Sequence, residues 1–232
     1  MKLNNNIENV IDMPKLQSPF IRKVVNKNYV CIPKINEELR WVFTDSTAVE
    51  KLDGTNVSIV VKDKKIISVY NRKNCIDFWK KGNKRFIEGI LEAIDKEYIN
   101  LGDMGNGQYF GELIGQQVNG NQYNLDRHLW IPFHILIEKC RFKFWDDFIK
   151  EIHGLPDVEI YKKTDQLFRG LRSLYKRQKG ISGNVDENTG FEGMASEGIV
   201  FYRKNTNEMA KLRRDMFNWF KGNRHKVVKI KR

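Results

Sequence analysis

Apolar and polar positions along this chain alternate over short stretches and only occasionally recur at helical spacing. Arg40–Thr44, Thr47–Leu52, Asn56–Val61 and Ile66–Asn71 are β-branched or aromatic runs separated by Asp, Gly and Lys, which predicts antiparallel strands. Lys62-Asp63-Lys64-Lys65 reads as the hairpin turn between the last two. From Asn83 to Ile99, Phe86, Ile87, Ile90, Leu91, Ile94 and Tyr98 fall on one face at a period near 3.6, so this segment predicts a helix with one buried stripe. Gly102 to Gly107 breaks the pattern. Gln108–Ile114 and Leu129–Ile137 read as buried strands, and Trp145–His153 and Asp165–Gln178 as helices, the second capped by Thr164. Lys179–Ser196, rich in Gly, Ser and Asn, reads as a loop. Gly198–Tyr202 and Met209–Leu212 are predicted strands around a Lys204-Asn205-Thr206-Asn207 turn. Strands outnumber helices and do not alternate regularly with them. The expected class is therefore α+β with mainly antiparallel sheets flanked by helices, not a doubly wound parallel fold. Residues 1–232 are expected to form one domain. Its first forty residues, with Pro14, Pro19 and Pro33, predict an irregular lead-in with short strands, and residues 221–232 a basic tail.

Length and composition narrow the function classes. A chain of 232 residues, 41% hydrophobic and 12% aromatic, can bury one substantial core. Its net charge of +12 suits a polyanionic partner, nucleic acid or an acidic membrane surface. No apolar run approaches the roughly 18 residues of a membrane span, and the N-terminus lacks a signal-peptide core. Cys31, Cys75 and Cys140 are isolated, which argues against a zinc site or a disulfide framework. A cytoplasmic, reducing setting is expected.

Candidate chemistry concentrates in four segments. In Glu50-Lys51-Leu52-Asp53-Gly54 a lysine stands two residues from a carboxylate; along an extended strand both would face one cleft. Gly54 permits close approach of backbone to a ligand. A free lysine is a weak nucleophile and becomes effective where neighbouring cations or burial favour the neutral amine. Lys211 and Arg213, again two apart, would place two cations near one anionic group and supply that influence. Glu112 lies within the apolar run Tyr109–Ile114. Glu197 opens an apolar strand, where a carboxylate could hold a divalent metal near phosphates. Arg72, at a strand end, could reach a sugar or phosphate, and Phe133 offers a flat face for a purine. Each segment also has a plain structural reading: a hairpin turn, a solvent-facing acid, a basic surface, a core aromatic.

Order and spacing bring the segments together. Lys51-Leu52-Asp53-Gly54 resembles motif I (KxDG) of the covalent nucleotidyltransferases, which comprise DNA ligases, RNA ligases and mRNA-capping enzymes. Asn71-Arg72-Lys73-Asn74 resembles motif Ia, Phe110–Gly115 motif III, Phe133 the aromatic of motif IIIa, Glu197–Val200 motif IV and Lys211-Leu212-Arg213 motif V. Glu50 before the lysine and Asn56 five residues after it make the nick-sealing, type 2 RNA ligases the nearest resemblance. With about twenty residues after motif V, no C-terminal OB-fold is expected.

The resemblance implies an ATP-dependent RNA ligase using Mg2+ or Mn2+. Lys51 would take AMP from ATP and pass it to a 5′-phosphate end, and a 3′-hydroxyl would then displace it. Arg72 and Glu112 would contact the ribose, Phe133 would stack on adenine and Glu50 would help read the base. Glu197, with Asp53, would serve the metal, Lys211 and Arg213 would hold the α-phosphate, and Asn56 would sense the 3′-terminal nucleotide. RNA with 3′-OH and 5′-phosphate ends, nicked or broken, is the implied partner. His134 follows Phe133 where the family usually has Asp, and Arg213 replaces a second lysine; Arg keeps the charge but changes the contact geometry. A minimal DNA ligase, or an inactive RNA-binding module of the same fold, stands as the alternative.

Overall fold

The computed structural model describes residues 2–4, 9–175 and 193–221. The basic tail beyond Lys221, and most of the Lys179–Ser196 loop, lie outside these residues. The chain forms two compact units, Met1–Lys15 with Leu52–Lys139, and Leu16–Lys51 with Cys140–Arg232. Among the described residues every strand pairing is antiparallel. The α+β expectation holds.

The first unit is built on a six-stranded sheet. Strands β1 (Lys2–Asn4), β5 (Thr55–Lys62), β6 (Lys65–Asn71), β7 (Asn74–Cys75), β8 (Gly107–Ile114) and β9 (Leu129–Pro132) belong to it. Its order is β1-β8-β5-β6-β7, and β9 also pairs with β8. The β5–β6 turn is the one the sequence marks, with Asp63 and Lys64 at φ of 48° and 61°, as a two-residue hairpin requires. Helix α1 (Lys84–Asp95) packs on β9 and β8 through Phe86, Ile90 and Ala93. It ends before Ile99, and Leu91 is exposed, because the stripe facing the sheet is narrower than the apolar pattern. The predicted strand Leu129–Ile137 stops at Pro132, which carries no N–H for a ladder and suits the edge of a helix. Helix α2 (Phe133–Lys139) follows at once.

The second unit holds a hairpin of β2 (Phe20–Val25) and β3 (Asn28–Ile35), so the lead-in is more regular than its prolines imply. A three-stranded sheet orders as β11 (Met209–Arg213), β10 (Gly198–Arg203) and β4 (Ser46–Lys51). The predicted strand Arg40–Thr44 is instead part of a 3-10 helix, Glu37–Phe43. Asn36 accepts from the Glu38 N–H, and two acids occupy its first turn; these helix-start signals outweigh the β-favouring aromatics. Helix α3 (Trp145–Ile152) lies where expected. Helix α4 runs Asp157–Gly170, eight residues ahead of the predicted start. Pro156 sets its entry and Asp157 and Glu159 suit its first turn. Thr164 is therefore an interior residue, its Oγ1 donating to Ile160 O at 2.7 Å, and not a cap.

Aromatic side chains fill this second core. Trp145 stacks on Phe148 and tilts against Phe43 and Phe201, and Phe168 meets Phe217. The buried indole N–H of Trp145 donates to Ser46 Oγ at 2.8 Å, which donates onward to Val42 O at 2.6 Å. That chain ties β4, the strand that ends in Lys51, to the helical layer beneath it.

Candidate active site

In the second unit, strand register decides which candidate residues meet. Gly198 of β10 lies opposite Lys51 on one side and Arg213 on the other. Directly opposed residues in a ladder share a face, so Lys51 and Arg213 flank a glycine that has no side chain between them. Val49, Val200 and Lys211 form the next rung of that face. Glu197, just before β10, completes the group. Its Oε2 lies 2.5 Å from Lys51 Nζ and its Oε1 3.8 Å from Arg213 Nη1. Arg213 Nη2 also meets Asp215 Oδ2 at 3.0 Å. Lys51 and Glu197 are about one-fifth exposed, so the cluster is sheltered but reachable. Lys51 thus stands beside a carboxylate as well as a cation, and that carboxylate is Glu197 where the sequence suggested Asp53.

Glycine at 198 is a packing necessity. A Cβ there would sit 2.2 Å from Leu212 O and 2.7 Å from Arg213 Cα, both backbone atoms. Any side chain would force β10 and β11 apart and open the Lys51–Arg213 rung.

Glu50 faces the other way. It shares a rung with Ile199 and Leu212, both fully buried, and is itself 1% exposed. Its Oε2 accepts from the backbone N–H groups of Leu174 and Tyr175 at 2.7 and 2.9 Å. Burial pushes its carboxyl pKa up, against hydrogen bonds from Ser173, Tyr175, Leu174 and Ser196 that pull it down. Period-2 alternation turns Glu50 inward because Lys51 turns outward, and it acts as a pin between β4 and the backbone at 174–175.

The first unit carries the other candidates. The strand that would have aligned Asp53 with Lys51 ends at Lys51, so the alternation argument does not reach Asp53. Its carboxylate accepts from Asn119 Nδ2 at 2.8 Å and from Gln122 Nε2, and its N–H donates to Tyr123 Oη at 2.8 Å. Asn119 also donates to Gly54 O at 2.7 Å. Gly54 itself leaves no room for a side chain, since a Cβ would lie 2.4 Å from Leu113 O. Asn56 and Glu112 are opposed across β5 and β8. Asn56 Oδ1 is buried without a hydrogen-bond partner among the described residues. Arg72 occupies the β6–β7 turn at φ 56° and reaches Asp12 at 3.6 Å, its side chain mostly exposed. Phe133 opens α2 and is only 9% exposed; it offers little free face because the chain has turned into a helix there.

Divalent-metal chemistry has a partial donor set. Among the described residues no three His, Cys, Asp or Glu side chains gather as a metal cluster. Mg2+ and Mn2+ need no such cage where phosphate oxygens complete the shell, and one or two carboxylates suffice. Glu197 supplies a hard oxygen of that kind. Both oxygens of Asp53 are engaged by amides in this arrangement.

A sequence model of the RNA ligase family matches residues 45–222, well over half of the chain. The chain belongs to the RNA ligase family. No curated protein sequence matches it significantly. Among solved structures, this RNA ligase family member is similar to Naegleria gruberi RNA ligase with PPi, at 15% identity and TM-score 0.44, covering 92% of this chain and 60% of that one. It is likewise similar to a glutamate-to-alanine mutant of that ligase with ATP and Mn, at 16% identity and TM-score 0.44, covering 91% and 58%. A lysine-to-methionine mutant with AMP and Mn matches at 15% and TM-score 0.42, covering 91% and 60%. The chain therefore spans about three-fifths of the length of the solved ligases it matches.

Several residues around the family motifs carried no local signal. Asn119, Gln122 and Tyr123 hold the Asp53–Gly54 corner across more than sixty residues of sequence. Asp215 fixes the Arg213 guanidinium, and Arg214 lies over the Trp219 ring at 5.2 Å. The one available hint was the Asn-Gly-Asn-Gln run at 119–122, where Asn119, Gly120 and Asn121 adopt positive φ.

Proposed function

We propose that this RNA ligase family member is an ATP-dependent RNA ligase that works through a lysyl-AMP intermediate on Lys51. The observation that carries the reading is the rung Lys51–Gly198–Arg213 with Glu197 against it. It brings a nucleophile at the end of β4 together with a carboxylate just before β10 and a cation on β11, consecutive strands far along the sequence. The Lys51 amine would attack the α-phosphorus of ATP, forming a P–N bond as the P–O bond to pyrophosphate breaks. Attack needs the amine free of its proton, and Glu197 is the acceptor already at hydrogen-bond distance. Arg213 and Lys211, on the same face, would neutralise the α-phosphate, and catalysis of this kind rests on positioning and on charge near the transferred group. A divalent cation held by Glu197 would add further neutralisation of phosphate charge. A 5′-phosphate oxygen of RNA would then take the adenylyl group, breaking the P–N bond. A 3′-hydroxyl would displace AMP to seal the strand. Arg72 and Glu112 would meet the ribose, and Asn56, whose amide oxygen has no described partner, the 3′-terminal nucleotide. ATP with Mn, named for the Naegleria ligases, is carried over as the cofactor pair.

Incubation with ATP labelled at the α-phosphate, with Mg2+ or Mn2+, should leave label on the protein through an acid-labile, base-stable bond. Lys51→Ala should abolish it. No adduct from neutral to alkaline pH, or an undiminished adduct in Lys51→Ala, overturns the reading. Sealing of RNA in preference to the DNA equivalent separates RNA from DNA ligase activity.

A further inference from the structure

The segment after β7 lies beyond the Asn71–Asn74 run that resembles motif Ia. Residues 76–85 carry four Lys or Arg against a single acid, Asp77. Within them Trp79 is 96% exposed and its neighbour Phe78 44%. Single exposed apolar residues are ordinary, but two adjacent exposed aromatics set among cations are not. Tryptophan gains more from burial than almost any side chain, so its full exposure calls for a partner.

Trp79 is presented by an ordered turn. Asp77 Oδ1 accepts from the Trp79 N–H at 3.0 Å, and Asp77 O accepts from Asn83 Nδ2 at 2.9 Å and from the Lys80 N–H at 3.3 Å. The Asn83 N–H closes onto Lys80 O at 2.8 Å, and Ile76, 7% exposed, anchors the segment to the sheet. The one acid of the segment is thus engaged inside the turn. Lys73, Lys80 and Lys81 are exposed and meet no carboxylate at ion-pair distance among the described residues. Lys84 pairs with Glu88 at 3.4 Å.

We propose that this turn is a binding platform for single-stranded RNA, resting on the ligase reading above. An unpaired base would stack on the Trp79 indole, with Phe78 beside it, while Lys73, Lys80, Lys81 and Lys84 take the flanking phosphates. Charge selects a polyanion, and a projecting indole selects one with open aromatic faces. A single strand meets both conditions, whereas bases in a duplex are already stacked on one another. The platform would hold unpaired RNA without reading sequence, because every base has a stacking face.

The test uses the full chain and a labelled single-stranded RNA with 5′-hydroxyl and 3′-phosphate ends, which cannot be joined. Trp79→Ala should weaken its binding about tenfold, Lys80→Glu with Lys81→Glu should do so with a smaller salt dependence, and both variants should take adenylate at the parental rate. Trp79→Phe should recover most of the affinity. Unchanged RNA affinity in Trp79→Ala overturns the proposal, as does loss of binding to anionic phospholipid vesicles with no loss to RNA, which would make the partner a membrane. A parent that takes adenylate but binds no such RNA also sinks the platform while the ligase reading stands. RNA binding through Trp79 in a protein that never takes adenylate does the reverse.

Discussion

Glu50 and Lys51 are adjacent, yet they do opposite work. Lys51 ends on the open face of β4 against Glu197, while Glu50 is sealed beneath the sheet. The resemblance to ligases marks both as site residues, but strand alternation forces one of them into the core. The cost of burying that carboxylate predicts a pH effect. Burial raises its folded pKa, so its proton is held more tightly in the folded than in the unfolded chain. Its contribution to stability is then complete below the ordinary glutamate pKa and is lost as pH rises through the folded value. Glu50→Gln keeps an oxygen to accept from Leu174 and Tyr175 but has no charge to desolvate. Urea unfolding across pH should therefore show the variant gaining on the parent from about pH 4 upward and levelling off past the folded pKa. A difference that does not change with pH would mean that the carboxylate is not perturbed.

At the level of elements, the β11-β10-β4 sheet works because one position in its middle strand is empty of side chain. Gly198→Ala would drive a methyl group onto the backbone of β11. Overpacking of this sort costs about 1–3 kcal/mol, and the midpoint of denaturant unfolding should fall accordingly. Adenylylation should fall far more steeply than stability, since the displaced rung holds both Lys51 and Arg213. An alanine variant with parental adduct formation would show that the rung is not needed. Elements were legible in sequence where one period ruled locally, as in β5, β6 and β8. They were misread where start signals competed with apolar pattern. Pro156 with Asp157 and Glu159 starts α4, although Thr164 looked like the cap, and Asn36 with two acids turns an aromatic run into a 3-10 helix.

For the whole molecule the governing quantity is charge. A formal +12 on 232 residues favours a polyanionic partner such as a nucleic-acid backbone, and each phosphate neutralised releases counterions. RNA affinity should fall linearly on a log–log plot against salt, with a slope of about −0.7 for each phosphate contacted by a single strand. ATP-dependent adduct formation, a contact with one small ligand, should respond far less. A flat salt response would remove the charge argument for RNA. Local sequence by itself determined the α+β class, the hairpin at 62–65, the positive charge and the order of the family motifs, because each depends on neighbouring residues or on composition. Tertiary structure alone decided that Lys51, Gly198 and Arg213 lie in one rung, that Glu50 turns inward and that Asn119, Gln122 and Tyr123 clasp the Asp53–Gly54 corner. Register between strands some 150 residues apart is set by which faces bury together, and no local window of sequence contains that information.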